Sequence, residues 1–268
     1  MSKQEHIPVA KPVAQKTDYA PLVDDFDMRT AEYGDSQYLA QAEKSIRMGF
    51  VRKVYGIVVA MFAVLSATSA LFVLQKDVNN FVVGNTGVLW SAYGVFILTL
   101  LVLICCDKVR RQHPHGLIGL CIFTLASSYF VGAICAMYSV AIGPYTVLQA
   151  FIATILMVCA LTAFAFQTKY DFTKVNGFFV IIFMMFFLFL MFQFAIVLPE
   201  MHGWRTVYSV VGAGFMCFFI VYDTQLMLGG KHKYAISVDE HIFAALNLYL
   251  DIINLLLYLL ALLSGGKR

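Results

Sequence analysis

Two aspartates stand where the rest of the chain is apolar: Asp223 in "GFMCFFIVYDTQLML" (residues 214–228) and Asp251 in "NLYLDIINLLLYLLALL" (residues 247–263). Of 16 acidic residues, the other 14 fall in the polar N-terminal segment, in connections or at the ends of apolar runs. A carboxylate inside a membrane span costs about 3 kcal/mol even on lenient scales, and such residues face a bundle interior, a cavity or a partner. Asp223 lies five residues before the end of its run and Asp251 ten after the start of the next. At 1.5 Å per residue they sit ~8 and ~15 Å in from the same side. Consecutive helices joined by a short connection pack antiparallel, so the carboxylates can meet. No Lys, Arg or His occupies the middle of a span to neutralise them. Two carboxylates held together cannot both ionise cheaply, so a proton is shared and the pair is a proton-sensitive switch. With amide oxygens nearby the same pair is a hard-oxygen site suited to Ca²⁺, for which protons would compete.

Asp251 also belongs to a pattern. Ala244, Asn247, Asp251, Asn254 and Tyr258 follow one another at intervals of 3, 4, 3 and 4, one helical face. A face of two amides, an acid and a phenol is costly against lipid and sensible against protein or water. Asn247, Asn254 and Tyr258 are therefore expected to support the acids, the amides orienting the carboxylates or supplying weak ligands. The plainer use of the same residues is an interhelical hydrogen-bond seam. Tyr222-Asp223 also matches one element of presenilin-type intramembrane aspartyl proteases, but the residues before Asp251 are Leu248, Tyr249 and Leu250 where that chemistry needs a GxGD. No nucleophile and base stand at a diagnostic spacing, so the chain is not read as an enzyme, and no cofactor is expected beyond Ca²⁺ as a permeant ion.

The elements that must hold these residues follow from composition. Of the 268 residues, 60% are hydrophobic and 13% charged, and mean hydropathy is +0.77; a soluble domain carries about 25% charged residues. This is an integral, multi-pass membrane protein whose first partner is the lipid bilayer. A helix needs about 20 apolar residues to cross, and seven runs qualify: 54–75, 86–106, 116–138, 144–166, 177–198, 204–228 and 241–263. The expected architecture is an all-α seven-helix bundle over residues 46–268. Residues 1–45 read as a disordered cytosolic tail, with four basic and eight acidic residues from Met1 to Glu43 and too little apolar surface to fold alone.

Lys and Arg resist translocation. Lys44, Arg47, Arg52, Lys53, Lys108, Arg110, Arg111, Lys169, Lys174, Lys231 and Lys233 flank one side and only Lys76 and Arg205 the other, which places the N-terminus in the cytosol. Lys267 and Arg268 at the far end oppose this, and a re-entrant last segment is the alternative.

Other features read more plainly. All six cysteines fall in or at the ends of apolar runs and are expected mostly as small buried hydrophobes; Cys105 and Cys106, beside "DKVRR", are the two placed for acylation. "GGKHK" at 229–233 lacks the phosphate-loop pattern and reads as a helix stop. His113 and His115 have no third ligand nearby and read as a solvated connection. Gln149, Thr154, Thr162 and Gln193 suit a polar path or interhelical bonds equally. Ser128, Gly132 and Gly212 allow close helix approach. Ile46, Phe50 and Tyr55 beside Arg47 and Arg52 suggest an amphipathic lead into the first span, in the headgroup region. A net charge of +3 spread over membrane flanks gives nucleic-acid binding no support.

The segment "IVYDTQLMLGGKHKYAISVDEHIFAALNLYLDIINLLLYLLALL" closely resembles the C-terminal signature of the BAX-inhibitor-motif, or Lifeguard, family, and "FAFQTKYDFT" and "IRMGFVRKVY" are similar to Lifeguard motifs. The resemblance runs from about Ile46 to Leu263. It implies a seven-helix fold of its own type, residence in endoplasmic reticulum or Golgi membranes, suppression of cell death, and a pH-sensitive Ca²⁺ leak from stores with its paired acidic sensor at Asp223 and Asp251. A non-conducting protein that restrains apoptosis regulators or Ca²⁺-release channels is the alternative reading.

Overall fold

A computed structural model describes residues 23–106, 114–168, 170, 172, 202–229 and 240–265 of the chain. Seven helices occur among them: α1 (Val23–Leu74), α2 (Lys76–Gly84), α3 (Thr86–Cys105), α4 (His115–Ile142), α5 (Pro144–Gln167), α6 (His202–Leu228) and α7 (His241–Gly265). All but α2 are long and apolar enough to cross a membrane, over Ser45–Leu74, Gly87–Cys105, His115–Ile142, Pro144–Gln167, Thr206–Leu228 and His241–Gly265. These six spans match six of the seven apolar runs. The remaining run, 177–198, lies outside the described residues, as do Gln193, His113 and most of the basic flanks. Contacts divide the chain into two units, residues 1–44 and 45–268. In the first, the backbone is helical from Val23 onward, within the segment read as a tail. The second carries all six spans.

The helix ends follow from local chemistry. Between α4 and α5 stands a single residue, Gly143, with φ +94°; glycine takes that conformation without the clash a Cβ would bring. Pro144 follows as the first residue of α5, where its missing N–H would be unpaired anyway. α6 stops at Leu228 because Gly229 takes φ +60° while its N–H still reaches the Gln225 carbonyl at 3.2 Å, a left-handed C-cap. The helix-stop reading of "GGKHK" therefore holds at its first glycine.

One helix was not expected. α2 lies in what reads as a plain connection, and it exists because the last carbonyls of α1 need donors. Asn79 Nδ2 donates to the Phe72 carbonyl at 2.8 Å and to Ser139 Oγ of α4 at 3.4 Å. Asn79 and Val82 are the buried residues of α2, so this short helix covers the ends of α1 and α4.

α7 organises the bundle. α7 is mostly buried and α3 mostly exposed, so among the described helices α7 is central and α3 peripheral. Two stripes at helical spacing account for this. Ala244, Leu248, Leu255 and Tyr258 pack with Val51, Val54 and Val58 of α1 and with Met216, Ile220 and Met227 of α6. Ile242, Leu246, Tyr249, Ile253, Leu256 and Leu260 pack with Met61 and Leu65 of α1, Leu103 of α3, and Leu120 and Phe123 of α4. Among the described helices from α2 to α7, the most extensive packing is that of α6 on α7.

The cysteines divide by side of helix. Cys135 is buried and Cys217 half-buried, but Cys105, Cys106, Cys121 and Cys159 are exposed. The expectation of general burial is thus corrected: periodicity cannot tell a lipid-facing side from a core side when both are apolar.

Candidate functional site

Asp223 occupies a core position of α6. Ala213, Met216, Ile220 and Met227 are buried in the cluster shared with α1 and α7, and Asp223 fills the gap between Ile220 and Met227 at the same 3 and 4 spacing. Asp251 does the same on α7, between Leu248 and Leu255 of the facing stripe. Asp251 is buried and Asp223 half-buried. The two carboxylates, one from α6 and one from α7, lie within electrostatic reach of each other. A hydrophobe at either position would complete the stripe, so both acids sit where the packing gains nothing from their charge.

Oxygen atoms from neighbouring helices gather beside Asp223. The Tyr55 hydroxyl of α1 lies 2.8 Å from Thr224 Oγ1 of α6 and 3.1 Å from Thr162 Oγ1 of α5. Thr224 Oγ1 itself donates to the Ile220 carbonyl at 2.6 Å, leaving its lone pairs to the tyrosine. Tyr55 also lies within electrostatic range of Asp223. One residue further, Gln225 is fully buried; its Nε2 donates to the Tyr170 carbonyl and its Oε1 accepts from the Phe172 N–H, each at 2.8 Å. Arg47, two turns before Tyr55, lies so close to Gly229 that a Cβ built there would stand 2.5 Å from its guanidinium carbon. The turn of α6 that carries Asp223 is therefore held by α1, by α5 and by the residues that follow α5.

The residues expected to support the acids part company. Asn247 is half-buried one turn before Asp251. Asn254 is exposed and donates to the Leu250 carbonyl of its own helix at 2.9 Å. Tyr258 is buried on the same stripe as Asp251 but about 10 Å along the axis from it. There its ring packs on Gly212 and its hydroxyl faces that of Tyr208 at 3.4 Å. The close approach read at Gly212 is thus made by the phenol of α7.

Of the polar residues in α5, Thr162 joins the Tyr55 cluster, Thr154 is buried and donates to the Ala150 carbonyl at 2.8 Å, and Gln149 is exposed. Tyr55 departs from the headgroup placement suggested by its neighbours: Phe50 is buried and Ile46 exposed, and Tyr55 turns inward. Tyr55, Thr224 and Gln225 were not singled out as site residues. The legible signal was the run of three polar residues, Asp223, Thr224 and Gln225, in an otherwise apolar span. Among the described residues no group of three or more His, Cys, Asp or Glu could hold a metal ion, so a cation here would have two carboxylates with hydroxyl, amide or water oxygens.

Comparison with known proteins agrees with this architecture. Residues 47–268 match the family described as inhibitor of apoptosis-promoting Bax1. Protein lifeguard 3 of Homo sapiens is 33% identical over 223 residues, covering 83% of this chain and 70% of the relative; its Mus musculus counterpart is 33% identical over 224 residues. The Golgi anti-apoptotic protein of Vaccinia virus (strain Lister) is 37% identical over 253 residues, covering 92% of this chain and 95% of the relative. With the matched region spanning every described membrane helix and both aspartates, the chain belongs to the BAX-inhibitor family that includes the lifeguard proteins.

Proposed function

We propose that this protein is a pH-sensitive Ca²⁺ leak pathway of intracellular membranes that lowers store Ca²⁺ and thereby suppresses apoptosis, with Asp223 and Asp251 as its sensor and gate. The observation that carries the reading is the convergence of two carboxylates from α6 and α7 on core positions of one apolar interface. Charge on both is unfavourable in that setting. Adding a proton, removing one, or binding Ca²⁺ changes which packing of α6 on α7 is favoured and so whether a cation path exists. The anti-apoptotic part rests on the family and on the name of the viral relative. That name also supports the Golgi as the membrane of residence, the endoplasmic reticulum being the other candidate. The asymmetry of Lys and Arg in the connections supports a cytosolic N-terminus, which puts the acid pair in the cytosolic half.

The test is Ca²⁺ flux into liposomes that hold only the purified protein, scanned from about pH 5 to 8, for the wild type and for Asp223→Asn with Asp251→Asn. A pH-dependent flux that the double substitution flattens is expected. No flux above empty liposomes, from protein shown to be folded, would overturn the channel reading and leave the alternative of a non-conducting protein that restrains apoptosis regulators or Ca²⁺-release channels.

A further inference from the structure

The hydroxyl of Tyr55 is the point at which α1, α5 and α6 are tied together, one residue from Asp223. Its partners Thr162 and Thr224 stand 107 and 169 residues away in the chain, so the contact is a tertiary one. The supporting face of α1 is continuous: Arg47, Val51, Tyr55 and Val58 recur at helical spacing. Val51 and Val58 are buried against α6 and α7, while Arg47 lies over Gly229 at the end of α6. A guanidinium at a helix C-terminus is also favoured by the helix dipole. α1 thus spans the final turns of α6 as a strut, hydrogen-bonded at Tyr55 and in close approach at Arg47, with apolar packing between them.

We propose that Tyr55 is a positioning residue for the acid pair: its hydroxyl pins the turn of α6 carrying Asp223 to α1 and α5, so that Asp223 cannot move away from Asp251 until the Tyr55 contacts break. The inference rests on the reading of Asp223 and Asp251 as a gate, but its first readout does not require conduction. Tyr55→Phe keeps the ring and its packing and removes both hydroxyl contacts. Thr224 then retains its bond to Ile220 and no buried charge is orphaned, so the bundle stays folded while the end of α6 loosens.

Hydrogen–deuterium exchange of the full chain in nanodiscs reads this directly. Tyr55→Phe is expected to raise exchange across residues 220–229 by about tenfold, the worth of one to two hydrogen bonds, with α4 unchanged. Thr224→Val paired with Thr162→Val is expected to reproduce the rise. Thr224→Ser paired with Thr162→Ser keeps the hydroxyls and is expected to restore wild-type exchange, which a general packing defect would not do. In liposomes, Tyr55→Phe is expected to raise Ca²⁺ flux several-fold at a fixed pH. Unchanged exchange in both Tyr55→Phe and the valine pair would overturn the proposal, whatever the flux. Raised exchange with flux equal to wild type would overturn the link between the strut and the gate. A wild-type protein that passes no Ca²⁺ would fail the proposed function, and the exchange result would still decide whether Tyr55 holds α6.

Discussion

Gly212 of α6 lies under the ring of Tyr258 of α7 so closely that a Cβ at position 212 would overlap the aromatic carbons. Without a side chain there, the two helices approach and the phenol reaches Tyr208. Gly212→Ala is therefore expected to destabilise the protein by about 1–3 kcal/mol, the usual cost of overpacking. Tyr258→Ala in the same chain should recover part of that loss by vacating the space. Thermal denaturation of the two variants in detergent checks both statements; equal melting of Gly212→Ala and wild type would mean that the helices do not meet there.

At the other end of α6, Gly229→Ala meets two obstacles, a left-handed backbone and the Arg47 guanidinium. The backbone alone costs about 1 kcal/mol. The expected result is a melting temperature lowered by about 2–4 °C for each kcal/mol lost, with Gly229→Asn intermediate because asparagine tolerates that conformation but still crowds Arg47.

Gln225→Leu removes both amide bonds from a fully buried site and leaves the Tyr170 carbonyl and the Phe172 N–H without that partner. Tyr170 is exposed, so water replaces part of what is lost, and the cost is about 1 kcal/mol, that of a net hydrogen bond. Limited proteolysis should then cut near residue 170 several-fold faster than in wild type, and Gln225→Glu should be cut at least as fast, since it loses the donor to Tyr170 and places a further carboxylate in a fully buried site two residues from Asp223.

The acid pair makes a separate prediction about pH. If Asp223 and Asp251 are the groups whose protonation sets the packing of α6 on α7, either single Asp→Asn change should remove most of the pH dependence of flux, and the double change should remove no more. Strongly interacting sites titrate as a unit, so the effects are non-additive. Two independent, additive losses would show that the carboxylates act apart.

Asn254 and Asn247 separate two views of the polar face. Because Asn254 is exposed and bonds its own helix, Asn254→Leu should leave the pH response of flux within about twofold of wild type and cost less than 1 kcal/mol in stability. Asn247→Leu, one turn before Asp251, is expected to shift that response. Equal effects of the two would restore the picture in which both amides serve the carboxylates.

Six of the seven spans were legible because lipid imposes a length and a composition, and helix ends at Gly143, Pro144 and Gly229 announce themselves by residue type. The inward placement of the acids was legible for the same reason, since a charge inside an apolar run is costly against lipid. Tyr55 was not: an aromatic residue near basic residues at the start of a span reads as an interfacial anchor, and only the positions of α5 and α6 show that it turns inward. Asn254 failed in the opposite direction. The 3 and 4 spacing assigned it to the face of Asp251, but α7 already buries two leucine-rich stripes, so no contrast in hydropathy marks which side is open. α2 was missed because its reason for existing, the Phe72 carbonyl seeking a donor, is a need of the preceding helix rather than a pattern of its own.

The lone residue between α4 and α5 has a mechanical consequence. One residue spans about 3.5 Å, so at Gly143 the two helices cannot part or slide past each other. They can only splay, like shears pivoted at one tip. Thr162 lies 19 positions beyond that pivot, ~28 Å along α5, and it is the residue that meets Tyr55. Any rotation of α5 about Gly143 is therefore largest at the end of the bundle where Asp223 is held, and the lever arm is already built into the chain.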